Sequence, residues 1–258
     1  LVISPILVFL WNYCFYSTLI SIADKVEAVG RVHLLRTFVL YYFRSATVRT
    51  KSSPEDETIH SALCRYVTTY MTNIESDTEA LSMAFRQFWF LFVIAAKSMA
   101  LRLLDVGLYK VPRGNRFSPE LLFRIGSMID KVVSLIIAKH RDLPQECRHA
   151  NSALAYFLRY CLSFMNRGSV FSWIHCAVEK MDESDSRTIR FHKLEFLQII
   201  FGHEHLVPLC LPVMCDASGN IFRKYGSFSS DGIGKLFSTH VYFSLKIFFL
   251  FYGLIRNC

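Results

Sequence analysis

Four residues near the C-terminal end of the chain, His203, His205, Cys210 and Cys215, carry the side chains of a metal site. Two imidazoles and two thiolates are a tetrahedral zinc set. Their spacing argues against it. Residues two apart on a helix point about 200° from each other, so His203 and His205 converge only on non-helical backbone. The expected role is a histidine pair at the negative end of a helix. A second candidate, Asp231-Gly232-Ile233-Gly234-Lys235-Leu236, looks like a phosphate loop. The upstream glycine position is Ser229, and Leu236 replaces the Ser or Thr that would meet magnesium, so the signature fails. Neither a G-x-S-x-G nucleophile elbow nor an H-E-x-x-H helix occurs. No catalytic, cofactor-binding or metal-binding residue is assigned on these grounds, and no cofactor is expected.

Two basic clusters remain. Lys110, Arg113 and Arg116 share one loop, and Lys139, His140, Arg141 and Arg148 surround another. Either could face phosphates, but nucleic-acid sites interleave dense basic residues with exposed aromatics. Here the aromatics fall on apolar stripes. The expectation is a solvated basic face with no nucleic-acid partner.

The composition says what must hold such residues in place. The chain has 258 residues and a net charge of +8, with 52% apolar, 15% aromatic and 19% charged residues. Soluble domains average about 45–50% apolar and about 25% charged, so burial is heavy and disorder is excluded. Eight cysteines without a C-x-x-C pair do not make a disulfide scaffold. Free, buried thiols in a cytosolic protein are the expectation. The chain opens on Leu1 rather than Met and reads as a fragment. Residues 1–23 carry no charge, close to the ~20 residues that span a bilayer. Ser4, Asn12, Ser17, Thr18 and Ser21 favour a buried helix instead.

The dominant pattern is helical. Ser53-Pro54-Glu55-Asp56 has the order of a helix start, followed by Ile59, Leu63, Tyr66, Val67, Tyr70, Met71 and Ile74 on one stripe. Ser76 and Glu79 have the spacing of a capping box for a helix reaching about Asp105. Ser118-Pro119-Glu120 repeats the start signal, and Leu143-Pro144 ends that helix. The next carries Ala150, Leu154, Phe157, Leu158, Cys161 and Met165, and Gly168 is expected to stop it in a left-handed conformation. Further helices are expected over about 169–182 and 186–204. Earlier segments run to about Ile22 and from Asp24 to Ala46, and a last begins near Leu236. Eight or nine helices with short connections predict an all-α, armadillo-like stack of antiparallel helical hairpins. No period-two alternation argues for a sheet.

Four stretches, FWFLFVIAAKSMA (88–100), NRFSPEL (115–121), NSALAYFLRYCLSFMNRGSVF (151–171) and LEFLQIIFGHEHLVPLCLP (194–212), carry a resemblance. In order and spacing they resemble the helical middle region of the dedicator-of-cytokinesis (DOCK) family of guanine nucleotide exchange factors, zizimin-type subfamily. The likeness covers about 55–225, leaving 1–54 as weakly matching N-terminal helices and 226–258 as a divergent segment. Asn166 stands where the family usually has Asp, Ser169 where it prefers an aromatic, and Cys210 where Asn is common. The resemblance implies a non-catalytic scaffold fragment of an exchange factor for Rho-family small GTPases. The GTPase would be engaged through a catalytic region that this chain lacks. Its implied partners are the other regions of the parent protein, with a homodimer as one option. Its implied location is cytoplasmic or peripheral at membranes. The competing reading is an integral membrane protein spanning at 1–23 and 236–255. Lys97, Lys131 and Lys246 fit the edge of a helical stack better than lipid.

Overall fold

The computed structural model describes residues 15–44, 58–184, 186–203, 214–215 and 221–222. Among these are eight α-helices: α1 (Phe15–Ala28), α2 (Val32–Thr37), α3 (Ile59–Asn73), α4 (Thr78–Asp105), α5 (Pro119–Lys139), α6 (Pro144–Phe164), α7 (Arg167–Asp182) and α8 (Arg187–Phe201). A π-helical turn, Phe38–Tyr42, continues α2. The chain divides into two compact units, 1–200 and 201–258. In the second, two antiparallel two-residue strands pair Met214 with Phe222 and Cys215 with Ile221.

Within the first unit, helices pack in two layers. α3, α5 and α7 lie side by side in one, and α4 and α6 in the other, with α1 against α4. Side chains of α6 bond to α8. Consecutive helices form antiparallel hairpins: His60 at the start of α3 meets Ser98 near the end of α4. Neighbours within a layer run parallel. Ser82 and Phe92 of α4 meet Glu146 and Phe157 of α6 in the same order. Pairing each helix with its sequence neighbour across the layers is what short connections and one apolar stripe per helix dictate.

The core is the sum of those stripes. Ile59, Leu63, Val67 and Met71 of α3, and Leu154, Phe157, Leu158 and Cys161 of α6, are all buried. Phe85, Phe88, Phe92 and Phe157 form a chain of rings whose successive centroids lie 5.1–5.5 Å apart. α4 is apolar on most of its circumference because it sits between α1, α3 and α6. It is also, among the described residues, the one helix long and apolar enough to cross a membrane, and most of that stretch is buried within the protein. Lys97 on α4 donates to the carbonyls of Val39 and Leu40, and Lys131 pairs with Glu75. The membrane spans weighed at 1–23 and 236–255 fall largely outside the described residues, as does Lys246.

Several helix boundaries correct the sequence reading. α1 runs through Asp24 and stops at Gly30, whose φ is +71°. Gly30 N–H bonds Glu27 O and Arg31 N–H bonds Val26 O, the paired bonds of a Schellman ending. α4 is capped by Asp77 rather than Ser76: its carboxylate accepts from Glu79 N and Ala80 N at 3.1 and 3.0 Å. The carboxylate suits the positive helix end. Ser118 caps α5 and Pro119 opens it as expected, but α5 already ends at Lys139, and Pro144, expected to end that helix, opens α6 instead. Gly168 does not stop a helix. Met165, in extended backbone, ends α6, Asn166 caps α7, and Gly168 lies inside α7. Among the described glycines, positive φ is confined to Gly30 and Gly107. The start signal at Ser53 lies outside the described residues.

Candidate functional site

The basic loop after α4 does not face solvent as a free patch. Two short 3₁₀ turns, Leu108–Lys110 and Arg113–Asn115, fold it across the C-terminal end of α6. A helix leaves its last carbonyls without intrahelical partners. Met165 N–H takes Cys161 O at 2.9 Å. Arg113 Nη1 donates to Leu162 O at 3.0 Å, and Arg116 Nη1 donates to Phe164 O at 3.1 Å. Arg116 also donates to its own loop, to Val111 O through Nε and to Tyr109 O through Nη2. A planar fork with five donors can hold several carbonyls at once, which an ammonium on a flexible stem does less well. The cations also lie at the negative end of the helix dipole.

The other half of this joint is the start of α7. Asn166 Oδ1 accepts from Gly168 N at 2.8 Å. Gly114 lies against Asn166, where an added Cβ would stand 3.6 Å from its Nδ2. Phe117 packs on Phe164 at 6.2 Å and edge-on to His60 at 6.4 Å. Burial, then the neighbouring Arg167 and Arg116, pull the Arg113 guanidinium below its usual value. Two of the four recognisable sequence stretches, NRFSPEL and the end of NSALAYFLRYCLSFMNRGSVF, thus meet at one clamped joint. What it does is hold helices.

The second basic cluster disperses. His140 lies between Ile137 O and Ser186 Oγ, at 2.7 and 2.9 Å. Arg148 forks onto Glu195 of α8 at 2.9 and 3.0 Å and stacks over Phe191. Arg141 is exposed, and Lys110 lies over its neighbour Tyr109. Of the zinc candidates, His203 follows α8 and Cys215 is in the first strand; His205 and Cys210 lie outside the described residues, as does Asp231–Leu236. Among the described residues no cluster of three or more His, Cys, Asp or Glu could hold a metal.

Two buried groups have the types of a catalytic pair without the access. His60 Nδ1 and Ser98 Oγ are 3.0 Å apart, and both residues are sealed from solvent. Burial, aided by Arg102, pulls the His60 pKa down to about 3. The ring is therefore neutral at pH 7, and the pair acts as a clasp between α3 and α4. Cys64, Cys147 and Cys161 are free and buried. Burial pushes the Cys64 and Cys147 thiols up to about 12 and raises Cys161 as well. Protonated thiols of this kind are neither nucleophiles nor ligands.

Residues 12–201 match the model of a family described as DOCK6-11, TPR domain. The chain belongs to that family. It is 31% identical over 195 residues to dedicator of cytokinesis protein 11 of Danio rerio, and 29% identical over 195 residues to dedicator of cytokinesis protein 9 of Homo sapiens. Each alignment covers 76% of this chain and 9% of the relative. Dedicator of cytokinesis protein 7 of Homo sapiens is 31% identical over 134 residues, half of this chain. No solved structure matches. The relatives numbered 9 and 11 agree with the zizimin-type resemblance. The two-layer hairpin stack agrees with the TPR description, since that repeat is a helix–turn–helix unit.

The sequence reading missed the targets of Arg113 and Arg116, because the carbonyls they bind lie almost fifty residues downstream. It also missed a polar stripe on α6. Tyr156, Arg159 and Tyr160 recur at spacings of three and four opposite the buried Leu154, Phe157, Leu158 and Cys161. That spacing was visible in the sequence.

Proposed function

We propose that this chain is a non-catalytic helical scaffold within a guanine nucleotide exchange factor of the DOCK type, acting on Rho-family small GTPases. The match of residues 12–201 to the DOCK6-11 TPR domain carries the reading. The local chemistry supports it: charged groups at the helix joints hold carbonyls and carboxylates of neighbouring helices. The chain spans 9% of the relatives of which it matches 76% of its own length. Exchange chemistry is therefore assigned to the parent protein, with this stack as a spacer for its catalytic region. The partners are the parent's other regions, a second copy among them, and the setting is cytoplasmic.

The test is fluorescent-nucleotide release from a panel of purified Rho-family GTPases. The chain alone should leave release at the intrinsic rate, and the full-length parent should accelerate it. Deleting 15–200 from the parent should preserve exchange by the purified catalytic region while lowering exchange by the whole protein. Acceleration by the 258-residue chain alone would overturn the reading.

A further inference from the structure

The stripe on α6 goes beyond a spacer role. Arg148, Tyr156, Arg159 and Tyr160 share one face of α6 over about 18 Å of helix. Phe191 extends it onto α8, where Arg148 stacks on Phe191 and forks onto Glu195, and Arg187 lies one turn before Phe191 at the exposed start of α8. The aromatics are open: Tyr156 is 45% exposed, Tyr160 44% and Phe191 51%. Rings left open on a helix whose opposite stripe is fully buried are surplus to the core.

The acids that α6 and α8 themselves carry are both engaged, and of those just before Arg187, Asp182 is held by Lys193 while Glu183 is exposed. α6 carries one acid, Glu146, bonded to Ser82 and facing Arg86. α8 carries one acid, Glu195, held by Arg148. The adjacent α4 has no acid between Glu79 and Asp105. Arg159 and Arg187 have no carboxylate partner among the described residues.

We propose that this face of α6 and the start of α8 docks an acidic segment of a protein partner, with Asp or Glu side chains on Arg159 and Arg187 and apolar side chains on Tyr156, Tyr160 and Phe191. The residue types choose a protein over a lipid surface. Anionic headgroups are gathered by lysine as well as by arginine, yet α6 has no lysine, and Lys193 of α8 is buried against Asp182. Arginine and tyrosine are the residues enriched at the centres of protein interfaces, where lysine is depleted. Forked guanidinium–carboxylate bonds then give the docking its register.

The experiment selects twelve-residue peptides on the immobilised 258-residue chain from two displayed libraries. One places Asp or Glu at half its positions; the other places Asn or Gln there. The acidic library should enrich binders and the amide library should not. Synthetic copies should weaken at least tenfold on Arg159→Glu or Arg187→Glu and about fivefold on Tyr156→Ala. Arg31→Glu, at the α1–α2 joint, should change binding less than twofold. Circular dichroism melts confirm that each variant folds, and two separate arginines guard against one failing to do so. Equal enrichment from both libraries overturns the proposal. So does equal weakening by Arg31→Glu, which would make the attraction a property of net charge. Binding to phosphatidylserine vesicles that depends on Arg159, with no acidic peptide enriched, overturns it in favour of a membrane surface.

Discussion

The joints at Gly30 and at Met165–Asn166 solve the same problem by different means. Each ends a helix and starts another within a few residues. At Gly30 the backbone does the work: a left-handed residue lets two N–H groups reach back to Glu27 and Val26. At Met165–Asn166 side chains do it: Arg113 and Arg116 reach across from another loop, and Asn166 caps the next helix. The difference teaches that a local ending depends on one residue's φ, whereas a clamped ending depends on packing far away in the chain. The first should respond to backbone substitutions and the second to side-chain and pH changes.

The largest separation should come from acid. His60 lies edge-on to Phe117 beneath the clamped joint, with its pKa lowered from 6.5 to about 3. Between those values the folded chain keeps the ring neutral while the unfolded chain takes up a proton. Stability from His60 is therefore complete above pH 6.5 and falls with pH by about 1.4 kcal/mol per unit. Between pH 6.5 and 4 the loss is about 3 kcal/mol. His60→Gln keeps a donor for Ser98 and removes this slope, and burial of His192 leaves a further slope in both proteins. Urea melts from pH 7 to 4 should show wild type losing stability more steeply than the variant. Parallel curves would disconnect His60 from the joint.

Arg116→Ala comes next. It removes bonds to Phe164, Val111 and Tyr109 carbonyls, and should destabilise by about 2 kcal/mol. Arg116→Lys should recover less than half, because one ammonium cannot span three carbonyls. Full recovery would mean that charge alone holds the α6 end. Gly30→Ala should cost about 1–2 kcal/mol. Nothing lies within 4 Å of the added methyl, so this is a backbone cost, and Gly30→Asn should be milder. Asn166→Ala should cost about 1 kcal/mol, and Asn166→Asp should stay within about 0.5 kcal/mol of wild type. Thermal melts order these variants, and a harmless Asn166→Ala would remove the cap from the joint.

What the sequence made legible follows the same division. Ser118-Pro119 announced a helix start because cap and proline signals act on their nearest neighbours, whereas Leu143-Pro144 reads as a stop and in the fold opens α6. The stripes of α3 to α8 announced the hairpin stack because burial repeats with the helical period. Asp77 and Ser76 are adjacent cap-type residues, and only the backbone decides between them. The roles of Arg113 and Arg116 were not legible at all. Their partners are fixed by how α6 packs beside α4.

Gly168 tests the comparison with the smallest effect and the clearest sign. Its place after Asn166-Arg167 suggests a left-handed stop like Gly30, and Ala would then cost about 1–2 kcal/mol. In the fold it is the second residue of α7, its φ is not positive, and its N–H is taken by Asn166. A helical glycine replaced by alanine gains up to about 1 kcal/mol in a helix interior. In the first turn fewer intrahelical bonds constrain the residue, so a gain of about 0.3–0.5 kcal/mol is expected. Val should lose most of that gain, since β-branching restricts its side chain against the helix. Urea melts of Gly168→Ala and Gly30→Ala measured side by side should therefore move in opposite directions. If both lose stability by similar amounts, the α6–α7 ending rests on its glycine as the α1–α2 ending does, and the arginine clamp is an accessory to it.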